Sequence, residues 1–240
     1  MTNLKVDLII SNLKSFFQKA DKKKAILGLS GGVDSALVAK IAVMTLGKES
    51  VTALILPNEG LSSLQNIEDA ENWAKELGIK YAIIPINDFL NLYNNLPWES
   101  SDFAKMNIQA RVRANILYDY ANSHGALVLG TGNKTEAMLG YFTKYGDGAC
   151  DVRPIGNLFK TDVWRLAKEA GLPENIIQKT PSAELAPGQT DEGELGIKYT
   201  EIDEILKKFE QGKKPESENE KKIFERIENN RHKGEVPPTI

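Results

Sequence analysis

The 240-residue sequence predicts a single doubly wound α/β domain, with a mostly parallel sheet of about five strands and helices on both faces. Three observations carry that prediction. Short apolar runs alternate with stretches of helical period, as right-handed β-α-β crossovers require. The first run ends in a glycine pair that turns into a helix, Leu29-Ser30-Gly31-Gly32-Val33-Asp34-Ser35. With 41% hydrophobic residues the chain has the apolar material for one large core, and neither an internal repeat nor a second core is expected.

Leu4, Leu8, Ile9, Leu13, Phe16, Phe17 and Ala20 recur at helical spacing, so the chain opens with an amphipathic helix. Residues 25–29 form the first strand, and the glycine turn leads into a helix over 36–46. The second strand, 51–56, is stopped by Pro57. Ser62 with Gln65 reads as a capping box for a helix through Leu64, Ile67, Trp73 and Leu77, closed by Gly78. Residues 81–86 give a third strand, followed by a short helix at 89–93 and a long one at 102–122. A fourth strand, 127–129, ends in Gly130-Thr131-Gly132, and a short fifth strand is expected at 152–155 in the polar loop 143–160. Helices follow at 160–170, closed by Gly171, and at 199–209, and Ser217 with Glu220 caps a last one through Ile223, Phe224 and Ile227. Between the first two of these, residues 180–196 are rich in proline, glycine and acid, which predicts a mobile lid. The layout is Rossmann-like, so ligands are expected beyond the carboxyl ends of the strands, where the Ser30 and Gly130 loops both lie.

A net charge of -3, with no basic tract longer than Lys22-Lys23-Lys24, argues against nucleic acid as a partner. No stretch reaches membrane-spanning length and the N-terminus has no signal-peptide pattern, so a cytoplasmic location is expected. Cys150 stands alone, which excludes an intramolecular disulfide or a Cys-x-x-Cys site.

The glycine turn is a phosphate cradle. A strand entering a helix through two glycines leaves backbone N–H groups pointing outward where the helix dipole favours anions, and Ser30 and Ser35 add hydroxyls. Asp34 beside bound phosphates calls for a cation between them, which points to a magnesium-bridged nucleotide. The spacing fits neither a Walker A loop nor the dinucleotide fingerprint.

Ser-Gly-Gly-x-Asp-Ser after a first strand resembles the pyrophosphatase loop of ATP-dependent adenylating enzymes. Beyond it, Gly130-Thr131-Gly132-Asn133-Lys134-Thr135-Glu136, the run from Gly140 through Phe142-Thr143-Lys144-Tyr145-Gly146-Asp147-Gly148, then Asp151, Pro154 and Asn157-Leu158-Phe159-Lys160 are similar to NAD⁺ synthetases. So are Pro181-Ser182-Ala183-Glu184-Leu185 and the run from Gln189 to Gly196, and the likeness covers residues 11–238. It implies that the carboxylate of nicotinic acid adenine dinucleotide (deamido-NAD) attacks the α-phosphorus of ATP, and that ammonia then displaces AMP from the acyl-adenylate. No covalent protein nucleophile is implied.

The resemblance places ATP on Gly28, Leu29, Ser30, Gly31, Gly32, Val33, Asp34, Ser35, Arg111, Thr131, Lys160 and Ser182, with Lys160 stabilising phosphate. Magnesium falls to Asp34 and Glu136, and deamido-NAD to Phe142, Lys144, Asp147, Asp151, His232 and Lys233. Several of these residues have plainer readings. Glu136 could be a helix-start carboxylate, Asp147 a turn residue, and Lys160 a solvated lysine, although a cation at a helix start favours an anionic partner. Arg113 is read as part of a solvated face and His124 as a surface residue. A homodimer with the dinucleotide at its interface is implied as well. Free ammonia is the expected donor, since no amidase domain with its own nucleophile is evident. Two other readings compete: a related adenylating ligase such as the synthetase half of GMP synthesis, which lacks the Phe-Thr-Lys-Tyr-Gly-Asp stretch, and a non-catalytic adenine-nucleotide module, which has no need of paired acids.

Overall fold

The computed structural model describes residues 4–239; the side chain of Leu4 lies outside the described part. The order is α1 (Leu4–Lys19), β1 (Lys24–Gly28), α2 (Val33–Leu46), β2 (Val51–Ile55), α3 (Leu64–Leu77), β3 (Lys80–Ile83), α4 (Asn87–Asn91), α5 (Asp102–His124) and β4 (Ala126–Val128). Then come α6 (Lys134–Leu139), α7 (Lys160–Glu169), α8 (Glu174–Ile177), α9 (Asp191–Leu195), α10 (Tyr199–Glu210) and α11 (Glu218–Asn230).

The sheet is parallel, in the order β3-β2-β1-β4. Among the described residues four strands form it rather than five. The segment expected to be the fifth makes a single parallel bridge, Leu129 to Val152, because Pro154 and the turn from Arg153 to Gly156 carry the chain away before a ladder can grow. β1 and β2 are buried along almost their whole length, which is why both read as unbroken apolar runs. From β1 the chain adds β2 and β3 on one side and β4 on the other, so the connections diverge between β1 and β4 and open a crevice at their carboxyl ends.

Helices α1, α2, α3, α7 and α8 cover one face and α5 the other. α2 is buried nearly all round, and Trp73 of α3 donates its Nε1–H to the Ala36 carbonyl at 3.0 Å. On α1 the core takes Val6, Leu13 and Phe17, whereas Leu8, expected in the stripe, is exposed. Ser63, not Ser62, caps α3, accepting from the Asn66 N–H, and Gly78 closes it in the left-handed conformation. A second apolar cluster, not expected from the sequence, joins α6, α10 and α11 through Leu139, Tyr199, Ile202, Leu206, Ile223 and Ile227. Trp164 of α7 packs against both clusters, which ties that helical layer to the sheet layer. Among the described residues no helix is long and apolar enough to cross a membrane.

Candidate active site

The loop between β1 and α2 is held in shape by its own side chains. Ser35 Oγ donates to the Gly32 carbonyl (3.0 Å) and accepts from the Ser30 N–H (3.2 Å), while Ser30 Oγ accepts from the Gly32 N–H at 3.3 Å. The two hydroxyls expected to reach a ligand thus lace the loop together, and Ser35, with its one proton committed, has none to offer. Gly31 sits at φ +79° against the Asn66 carbonyl, a place where any Cβ would collide. Gly32 caps α2 with no side chain, so the N–H groups of the first turn remain open to an anion.

Three charged groups meet beside this turn. Lys160 Nζ lies 2.5 Å from Asp34 Oδ2 and 3.5 Å from Glu136 Oε1, with its side chain almost fully buried. Asn133 Nδ2 donates to Asp34 Oδ1 at 2.9 Å, and the same Asn133 forms a capping box with Glu136 at the start of α6. Glu136 is therefore both a helix-start carboxylate and a member of the charged cluster. Burial, with Asp34 nearby, pushes its carboxyl well above the usual range in spite of Lys160. Burial alone would lower the Lys160 pKa, but Asp34 and Glu136 outweigh it and hold the ammonium above its ordinary value. The backbone of Lys160 is fixed from behind: its N–H donates to Thr135 Oγ1 (2.9 Å), which donates to Asp203 Oδ1 (2.5 Å), and Asp203 Oδ2 accepts from the Thr161 N–H at 2.8 Å. Tyr199 OH donates to Asp191 Oδ2 at 2.9 Å beneath the cluster, and Lys160 Nζ lies 5.3 Å from the centre of its ring.

Two adjoining cavities open here. The smaller, about 190 Å³, is lined by Gly32, Asp34, Glu136, Lys160 and Lys179. The larger, about 650 Å³, extends between the strand ends and α5 past Gly28, Leu29, Leu56, Arg113, Phe142 and Lys233. Ser30, Thr131, Asp147 and Ser182 border both.

Not every expected residue is there. Arg111 is exposed, its Nε donating to the Lys144 carbonyl (3.3 Å), and it lines neither cavity. Arg113, read from sequence as solvated, donates to the Leu56 carbonyl at 2.9 Å in the wall of the larger cavity, and burial lowers its pKa. Two residues along a helix face nearly opposite ways, and the inward face of α5 is the one that carries Arg113. Asp151 Oδ2 accepts from the Val128 N–H at 2.7 Å, which uses that oxygen at the end of β4, outside both cavities. Lys144 and His232 are also outside; Lys144 Nζ donates to the His232 carbonyl at 2.8 Å. Lys233 Nζ donates to the Gly140 and Phe142 carbonyls, and Asp147 Oδ1 accepts from the Thr143 N–H, making a side-chain turn.

Sequence reasoning missed Asn133, Asp191, Tyr199 and Asp203. Only Asn133 had a local signal, since an asparagine three residues before a glutamate at a helix start is a capping box.

Residues 180–196 are docked over the cavities. Glu184, at φ +47°, accepts from Ser63 N–H and Asn66 Nδ2 at the start of α3, and Gln109 Nε2 donates to the Leu185 carbonyl at 3.2 Å.

Comparison with known proteins gives the family. The NH3-dependent NAD⁺ synthetase of Archaeoglobus fulgidus is 47% identical over 233 residues, covering 97% of this chain and 94% of that protein. That of Methanocaldococcus jannaschii is 44% identical, covering 98% and 95%. Among solved structures, an NMN synthetase from Francisella tularensis superposes with a TM-score of 0.91 at 35% identity, covering 100% of this chain and 98% of that one. An NH3-dependent NAD synthetase from Campylobacter jejuni gives 0.87 at 33%, covering 100% and 99%. The sequence model described as NAD synthase matches residues 5–237, and the chain belongs to that family.

Proposed function

We propose that the chain is an ammonia-dependent NAD⁺ synthetase, which converts deamido-NAD, ATP and ammonia to NAD⁺, AMP and pyrophosphate. The observation that carries this reading is the Asp34, Glu136 and Lys160 cluster beside the uncapped first turn of α2, in a chain of this family.

The triphosphate lies on the N–H groups of that turn, and the nucleoside extends into the larger cavity. Lys160 neutralises phosphate charge as it builds in the transition state, and the buried contacts through Thr135 and Asp203 hold it at that place without reorganisation. Two carboxylate oxygens already converge on one cation, a donor set that suits magnesium, which takes one or two carboxylates and completes its shell with water and phosphate. Asp34 and Glu136 would hold that ion, and it would supply charge neutralisation where the phosphates meet the acids. The segment 180–196 closes over the reacting groups and keeps water from the acyl-adenylate until ammonia arrives. Leu92, Trp98 and Phe103, 68%, 63% and 70% exposed around the start of α5, supply the apolar contact of a homodimer.

The test is product analysis. Purified protein with ATP, magnesium and ammonium is offered deamido-NAD, the corresponding mononucleotide and xanthosine monophosphate in turn. NAD⁺ and pyrophosphate formed in equal amounts from deamido-NAD is the expected result. Preference for the mononucleotide would move the assignment to an NMN-forming enzyme, and product from xanthosine monophosphate alone would move it to a GMP synthetase.

A further inference from the structure

Lys179 ends the stretch after α8 and immediately precedes residues 180–196. Its Nζ donates to the Gly31 carbonyl at 2.8 Å. The same ammonium lies 2.6 Å from Asp69 Oδ2, an ion contact rather than an aligned hydrogen bond. Asp69 is buried on α3, where its other oxygen accepts from Gln65 Nε2 (3.0 Å) and Asn175 Nδ2 (2.9 Å). One lysine thus joins α3, the phosphate loop and the base of the docked segment.

Resting on the ATP reading above, we infer that Lys179 is a positioning residue that aims the phosphate loop. The reasoning follows from peptide geometry. The carbonyl of Gly31 and the N–H of Gly32 belong to one peptide unit and, the bond being trans, point in opposite directions. Holding the carbonyl back on the Lys179 ammonium turns the Gly32 N–H toward Ser30 Oγ, within the turn that lines the smaller cavity. A glycine pair has no side chains to resist a flip of that unit, and a flip would present a carbonyl oxygen to the phosphates in place of an N–H. A neutral donor could make the hydrogen bond, but a charged one makes it stronger, and Asp69 keeps the ammonium in place. The aspartate is therefore an anchor for the lysine and touches no ligand.

The test separates aiming from mere stability. Lys179→Met leaves Asp69 buried without its counter-charge, so it is made alone and together with Asp69→Asn, which removes both charges. Inorganic pyrophosphate with magnesium, titrated calorimetrically, is the probe, and it needs no turnover. Both proteins are expected to bind it about tenfold more weakly or worse, with a matching rise in KM for ATP and little change in KM for deamido-NAD. The double variant is expected to recover the Tm lost in Lys179→Met, yet not the affinity. Asp69→Asn alone keeps an oxygen beside the ammonium but not the charge that anchors it, and is expected to lose less affinity than either variant that lacks the lysine. In ligand-free Lys179→Met, hydrogen exchange at Gly32 and Val33 accelerates, an effect that loss of a direct phosphate contact would not produce. Wild-type affinity in the double variant, or unchanged exchange at Gly32, would overturn the inference. Failure of the wild-type protein itself to bind pyrophosphate would instead overturn the ATP reading beneath it.

Discussion

Asp34 and Glu136 share one lysine, and their removal tests the cluster most directly. Asp34→Asn and Glu136→Gln are each expected to lower kcat by about 10²-fold or more, the scale on which a single electrostatic contact to a transition state is lost. Circular dichroism and Tm should stay close to wild type, because in either variant the other carboxylate still faces Lys160. Near-normal activity across a magnesium titration would remove that residue from the metal assignment. Asp203 acts one step back. Asp203→Asn keeps an acceptor for Thr161 or Thr135 but not for both, so stability should fall by about 1–3 kcal/mol, and kcat should fall while KM for deamido-NAD holds. Equal loss in both kinetic constants would make Asp203 a packing residue only. At this scale the sequence was informative where a residue lies next to a turn signal, as Asp34 and Glu136 do. It was silent on Asp203, whose partners lie tens of residues away, and on Tyr199, whose hydroxyl meets Asp191 only eight residues back but across a loop, and it misread Arg113 because helical period gives the spacing of a face but not which face turns inward.

At the scale of single elements, α11 offers a clean pH test. Glu220 accepts from the Ser217 and Glu216 N–H groups and pairs with Lys208 at 2.6 Å. The Lys208 contact, with those backbone donors, lowers its carboxyl from 4.5 to about 2. A carboxylate with a depressed folded pKa stabilises fully above its unfolded value and loses that contribution as pH falls through the folded one. The stability gap between wild type and Glu220→Gln, followed by urea denaturation, should be widest above pH 4.5 and close toward about 2. A gap that stays constant over this window would mean that the capping box works without its charge. The segment 180–196 invites a different measurement. Limited proteolysis should cut within 185–190 of the free protein and be suppressed by ATP and deamido-NAD together. Glu184→Ala, which releases the contacts to Ser63 and Asn66, should raise cutting in the free protein. Cleavage indifferent to ligands would exclude a lid. Caps, glycine stops and amphipathic stripes placed most elements within two or three residues. The fifth strand failed because an apolar triplet beside proline satisfies strand composition without having a partner ladder.

For the whole molecule, the expected donor is free ammonia. Ammonium should support NAD⁺ formation and glutamine should not; comparable rates with both, and no second protein present, would refute it. Phe103→Glu, in the exposed apolar surface, should shift the protein toward monomer in light scattering if that surface is the dimer contact. The alternation of strands and helices made the sheet layer legible, whereas the separate cluster of α6, α10 and α11 was not, since three helices with apolar stripes do not announce which partners they choose. That cluster has a consequence in time. Asp34, Glu136 and Lys160 are all synthesised before Asp203, whose carboxylate fixes Thr135 and the start of α7. A chain growing on the ribosome folds from its N-terminal end, so it carries every charged group of the phosphate site while still lacking the brace that sets them. Stalled nascent chains ending near residue 198 should therefore fail to retain ATP, and those extended past α11 should hold it. The charged groups are thus made first, and the helix that braces them is made afterwards.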